Sequence, residues 1–202
     1  RRILQDRPRG FDVGRLRLPV PLRRLVCLDL TEGVGHQAAD HEAAHPVAEA
    51  DGGLNIEGLA ATPDGALLIG LRNPVPQQRA LVIPLLNPGE VINGVRARFG
   101  APIELDLGQR GIRSIERVGS SYLIVAGPPA DSGSFALYRW SGRAADAATP
   151  VADIDLKELR PEALFAVLGS GRVQLLSDDG GVKIAGVECK KLPVAHQTFR
   201  GL

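Results

Sequence analysis

Methionine is absent from all 202 residues, tryptophan occurs once and cysteine twice. Cys27 and Cys189 lie far apart and match no metal-binding or redox spacing, which excludes a disulfide framework and a Cys-based zinc module. Aromatic residues make up only 4%. The first 24 residues carry eight arginines against two acidic groups, yet Phe11 is their only ring, so a base-stacking nucleic-acid surface is not expected there. A solvated, Arg-rich edge accounts for that charge run. No apolar run approaches the roughly 18 residues of a spanning helix, and no charged-then-apolar leader opens the chain, so no membrane span is expected. A chain of this length that lacks methionine and opens on Arg1-Arg2 is expected to be part of a longer one.

What is abundant is glycine and proline, 24 and 15 residues. They punctuate short apolar runs: ALLIGL, ALVIPLL, YLIVAG, FALYRW and RVQLLS. Each run has strand length and is bounded by turn formers, so the chain reads as all-β. Two stretches alone have helical character, QAADHEAAH before Pro46 and DLKELRPEAL, which Pro161 would interrupt. The reading divides the chain into an N-terminal strand and loop segment, residues 1–50, and a repeat domain, residues 51–202.

Three segments of that domain share one plan. LNIEGLAATPDGALLIGLRNP, GIRSIERVGSSYLIVAGPP and LRPEALFAVLGSGRVQLLSDDG each run glutamate, strand, tight turn, strand, polar exit. The turns are PDG at 63–65, GSS at 119–121 and GSG at 169–171, and the glutamates are Glu57, Glu116 and Glu162. Further strand pairs are expected between them, ALVIPLL with PIELDL and FALYRW with PVADIDL. Their spacing is close to the roughly 40–50 residues of a four-stranded propeller blade. A small twisted sheet buries both faces only by stacking on others, which predicts a β-propeller, or a partial propeller-like repeat, of antiparallel blades.

GLNIEGLAATPDGALLIGLRNP, APIELDLGQRGIRSIE, YLIVAGPPADSGSFALYRW and QLLSDDGG, taken in order, resemble a bacterial family known as domain of unknown function 3616. The resemblance covers roughly residues 52–202. It implies a propeller-like β fold, and it implies neither an activity nor any catalytic residue.

In a strand alternate side chains share a face, which groups Asn55 with Glu57, Ser114 with Glu116 and Arg160 with Glu162. If the three strands are inner ones, Glu57, Glu116 and Glu162 converge near an axis, with Asp178 and Asp179 close by. Convergent oxygens suit a divalent cation such as calcium, which takes about six to eight of them. The competing reading is that each glutamate accepts hydrogen bonds from a neighbouring blade and fixes packing. Arg72 and Arg113, near strand ends, either receive an anionic ligand or pair with one of these glutamates. Trp140 is expected to pack at a strand end.

HEAAH, residues 41–45, has the letters of a zinc-protease motif, with His36 as a conceivable third ligand. Pro46 and a loop-like sequence follow at once, and the long helix that carries such a motif in a zincin is missing, so a linker is favoured. Residues 127–134, GPPADSGS, lack the lysine and following helix of a phosphate loop, and Ser132 and Ser134 have no triad partners in a suggestive order. Two functions remain. One is a ligand-binding or interaction domain for a small molecule or protein, with or without an axial cation. The other is a metal-assisted hydrolase acting on a phosphoester or lactone.

Overall fold

Residues 53–202 are described by a computed structural model, with positions 131 and 168 excepted. HEAAH, His36 and Cys27 lie outside the described residues. The regular structure of the described residues is mainly antiparallel β, with one α-helical turn, α1, Pro88–Val91, and three short 3-10 turns.

The first sheet is a four-stranded meander of β1 (Asn55–Ala61), β2 (Leu67–Asn73), β3 (Ala80–Leu85) and β4 (Ile103–Leu105). The second repeats the plan with β5 (Gly111–Val118), β6 (Ser121–Gly127), β7 (Ala136–Trp140) and β8 (Thr149–Pro150). Both expected outer pairings form, with Val82 opposite Ile103 and Tyr138 opposite Pro150. The third sheet contains β9 (Pro161–Ala166) and β10 (Val173–Ser177). A bridge from Leu176 to Gly201 adds residues 200–202 alongside β10, with Leu175 and Leu202 exchanging backbone bonds of 2.9 and 3.1 Å. Between β10 and that segment lies a small hairpin, β11 (Lys183–Ile184) and β12 (Val187–Glu188).

The helical character expected over 155–164 is not realised. Proline at 161 denies an interior helical hydrogen bond, and Pro161 instead opens β9 as its first residue, where a missing N–H is tolerated. The turn between β5 and β6 is a two-residue one, set by Val118 opposite Ser121, and Gly119 occupies it at φ +63°, a conformation that disfavours a side chain.

Side-chain alternation explains how the sheets stack. On β6, Tyr122, Ile124 and Ala126 join a core with Ala60, Leu68, Val82, Leu105 and Ile112 between the first two sheets. Leu123 and Val125 point the other way, into a core with Leu164 and Leu175 of the third sheet. The second sheet is therefore covered on both faces, which is why β6 reads as an unbroken apolar run. The first strands lie together, β1 on β5 and β5 on β9. Glycine permits the close approach: a Cβ on Gly70 would stand 2.6 Å from the Ile112 side chain. Burying a side chain such as Ile112 contributes roughly 1.5–3 kcal/mol. Trp140 is 1% exposed and its indole N–H donates to the carbonyls of Arg143 and Asp146, as expected of a strand-end packing residue.

Candidate functional site

The three first strands share an irregularity that no residue count revealed. In β1, pairing steps from Asn55 opposite Asn73 to Ile56 opposite Leu71, passing over Arg72 of β2, and then to Gly58 opposite Gly70, passing over Glu57, so the two shifts cancel. In β5, Ile112 faces Ala126 and Ser114 faces Val125, leaving Arg113. In β9, Pro161 faces Ser177 and Ala163 faces Leu176, leaving Glu162. In β5 and β9 this is a one-residue β-bulge, a device that re-aims a side chain out of the alternating pattern, and in β1 it is a compensated irregularity at the corresponding end of the strand. The structurally equivalent residues are thus Glu57, Arg113 and Glu162, with charge signs that alternate.

These residues meet. Arg113 Nε lies 2.9 Å from Glu57 Oε2, and Arg113 Nη2 contacts Glu162 Oε1, so one guanidinium joins carboxylates of the two flanking sheets. Arg72, on β2, donates from Nη1 to Glu57 Oε1 at 3.1 Å. Asn55 donates to the same oxygen at 3.3 Å. Both arginines also hold the segment after β6: Arg113 Nη1 donates to the Pro128 carbonyl, and Arg72 Nε and Nη2 donate to Pro129 and Ala130. The Phe135 ring lies 5.7 Å from the Arg113 guanidinium carbon. Gly127 lets the arginine stem pass, since a Cβ there would stand 2.7 Å from Arg113 Cγ.

Exposure is graded across the cluster. The Arg113 side chain is 6% exposed, Glu57 22% and Glu162 37%. Arg113 Nε–H is fully buried and no acceptor lies in line with it, so its approach to Glu57 is a Coulombic contact rather than a hydrogen bond.

The other sequence-predicted residues lie apart from this cluster. Glu116 is three positions further along β5 and borders a shallow groove of about 350 Å³ with Leu59, Ala60, Ala61, Arg117 and Gly119. Asp178 is exposed and accepts from the Gly180 backbone at 2.9 Å, closing a turn. Asp179 is buried and accepts from Ser177 Oγ at 2.8 Å, from the Arg200 backbone N–H at 2.8 Å, and from Arg200 Nε and Nη2 at 2.9 and 2.8 Å. The Arg200 guanidinium holds the Asp179 carboxyl down at about 2, assisted by Ser177 and opposed by burial. Among the described residues no group of three or more His, Cys, Asp or Glu side chains stands close enough to hold a metal ion. No described helix is long and apolar enough to cross a membrane.

Of the two readings of Arg72 and Arg113, receiving an anionic ligand or pairing with a glutamate, the structure puts both arginines against Glu57 and Arg113 also against Glu162. Phe135 and the carbonyls of 128–130 were not foreseen, because their role depends on where the chain turns after β6 rather than on residue type.

A family model described as "Protein of unknown function (DUF3616)" matches residues 40–167. No curated protein and no solved structure matches the chain.

Proposed function

We propose that this chain, which belongs to the DUF3616 family of proteins of unknown function, is a ligand-binding or interaction domain whose stacked sheets are successive blades of a propeller-like arrangement. The ligand approaches the end of the first strands where Asn55, Arg72 and Arg113 lie. One observation carries this reading: in three sheets in succession the pairing is irregular near the start of the first strand, and the charged residues passed over there, Glu57, Arg113 and Glu162, meet. Packing alone asks for an apolar residue there. Stacking of β1 on β5 and β5 on β9, with the later strands further out, supports the radial arrangement.

Charge balance favours an organic ligand over a bare cation. Glu57 and Glu162 each already face a guanidinium, so a calcium ion would compete with Arg72 and Arg113 for its oxygens. The metal-assisted hydrolase stands as the second reading only if calcium displaces those contacts.

Chemical-shift mapping of ¹⁵N-labelled protein against sodium acetate, calcium chloride, glucose and triglycine tests both. The expected outcome is that responding amides gather at residues 55–57, 113, 127, 130, 160, 162 and 163. Responses confined to the groove beside Glu116, or to the turn at Asp178, would remove the proposed site. Shifts at Glu57, Glu116, Glu162 and Asp178 on addition of calcium alone would favour the hydrolase.

A further inference from the structure

A guanidinium presents Nε–H and one Nη–H₂ group along a common edge, spaced to take both oxygens of a single carboxylate. In Arg113 that edge is Nε and Nη2, and it is divided between two different residues: Nη2 contacts Glu162, and Nε has Glu57 nearby without a hydrogen bond. A buried, charged N–H left unbonded keeps the full cost of its desolvation. The resident arrangement therefore leaves one bond of the fork unmade.

The two carboxylates are not equally committed. Glu57 is the less exposed and also receives Arg72 and Asn55, whereas Arg113 is the one partner found for Glu162 among the described residues. Glu162 is the more solvent-exposed of the two partners, its side chain being 37% exposed while the arginine is 6% exposed. Arg113 is itself fixed by the Pro128 carbonyl behind it and Phe135 beside it.

We propose that the Nε/Nη2 edge of Arg113 is an exchangeable carboxylate-binding site, that Glu162 is its resident occupant, and that the ligand of this domain carries a carboxylate which displaces Glu162. The inference rests on the proposed binding function and names its ligand class. An incoming carboxylate makes two parallel hydrogen bonds where Glu162 makes one. Glu162 holds the place by proximity, as an intramolecular competitor, so the wild-type protein binds a simple acid weakly and removal of Glu162 exposes the site.

The test follows the Arg113 Nε–H resonance of arginine-labelled protein during titration with sodium acetate, which reports a small-acid ligand, and with triglycine, free or amidated at its C terminus, which reports a peptide end. In Glu162→Ala, acetate or free triglycine is expected to bind at least tenfold more tightly than in wild type and to move that resonance downfield, with amidated triglycine inert. Arg113→Lys, with its single-point ammonium, is expected to abolish binding. An Arg113 Nε–H signal in Glu162→Ala that stays unmoved by both acids overturns the inference, as does equal binding by a folded Arg113→Lys variant. Should Arg113→Lys not fold, the Glu162→Ala titration decides alone. If both acids fail while calcium or glucose shifts amides at 55–57, 113, 127 and 130, the carboxylate assignment falls and the binding domain stands. If none of these probes shifts them, both fall.

Discussion

Arg113 with its two glutamates and Arg200 with Asp179 are built from the same chemical groups and finish with different valency. Asp179 takes both fork positions of Arg200, the Ser177 hydroxyl and the Arg200 backbone N–H, all between 2.8 and 2.9 Å. It sits in the interior, 6% exposed, while its arginine is 47% exposed. At Arg113 the burial is reversed and the fork is divided. A saturated carboxylate with its cation outside has nothing further to bind, so the Asp179 pair is a clasp that fixes the segment 200–202 on β10. A buried cation whose fork is divided between two acceptors, the outer one partly exposed, leaves one hydrogen bond unmade. Presence of an ion pair does not distinguish the two; the count of unmade hydrogen bonds does.

Breaking the clasp should have the largest effect. Asp179→Ala is expected to lower stability by about 3 kcal/mol in urea unfolding, because the Ser177 hydroxyl and the Arg200 backbone N–H lose their acceptor. A cost no greater than that of Glu162→Gln would erase the contrast drawn here. At the hub the most damaging small change should be Gly111→Ala, whose Cβ would stand 2.0 Å from the Arg72 carbonyl oxygen. Displacing that backbone is expected to cost about 2 kcal/mol and to disturb the amides of Gly127 and Ala130, beside the carbonyls that Arg72 holds.

Acid titration sharpens the comparison further. The folded-state value of about 2 for Asp179 lies below its ordinary 3.8, so its stabilisation is complete above 3.8 and disappears as pH falls through 2. The stability advantage of wild type over Asp179→Asn should therefore hold constant from neutral pH down to that window and shrink within it. An advantage that persists unchanged at pH 2 would show that the carboxylate charge is not what matters. Glu162→Gln should have the smallest effect, under about 1 kcal/mol, since the residue is partly solvated and Arg113 keeps Glu57.

Much of the fold was legible because its signals are local. Strand-length apolar runs between Pro-Asp-Gly, Gly-Ser-Ser and Gly-Ser-Gly turns gave the hairpins, and ALVIPLL with PIELDL gave an outer pair that Val82 and Ile103 make. The site was legible in composition and not in register. Aligning glutamate with glutamate puts Glu116 opposite Glu57, whereas the backbone aligns Arg113 with Glu57, three residues earlier. A bulge inserts one residue and moves its side chain out of the period of two, and nothing in the letters GIRSIE marks where that insertion falls. The three-carboxylate cation site is thereby replaced by an arginine between two carboxylates. Asp179 escaped notice as a clasp for a different reason: Arg200 is distant in sequence, and only the pairing of 200–202 with β10 brings it near.

That same pairing orders events during synthesis. The first and second sheets close through strands that leave the ribosome one after another. The outer edge of β10 has to wait for residues 200–202, and with them for the charge that neutralises Asp179. Until then the third sheet is a two-stranded hairpin, marginal by itself.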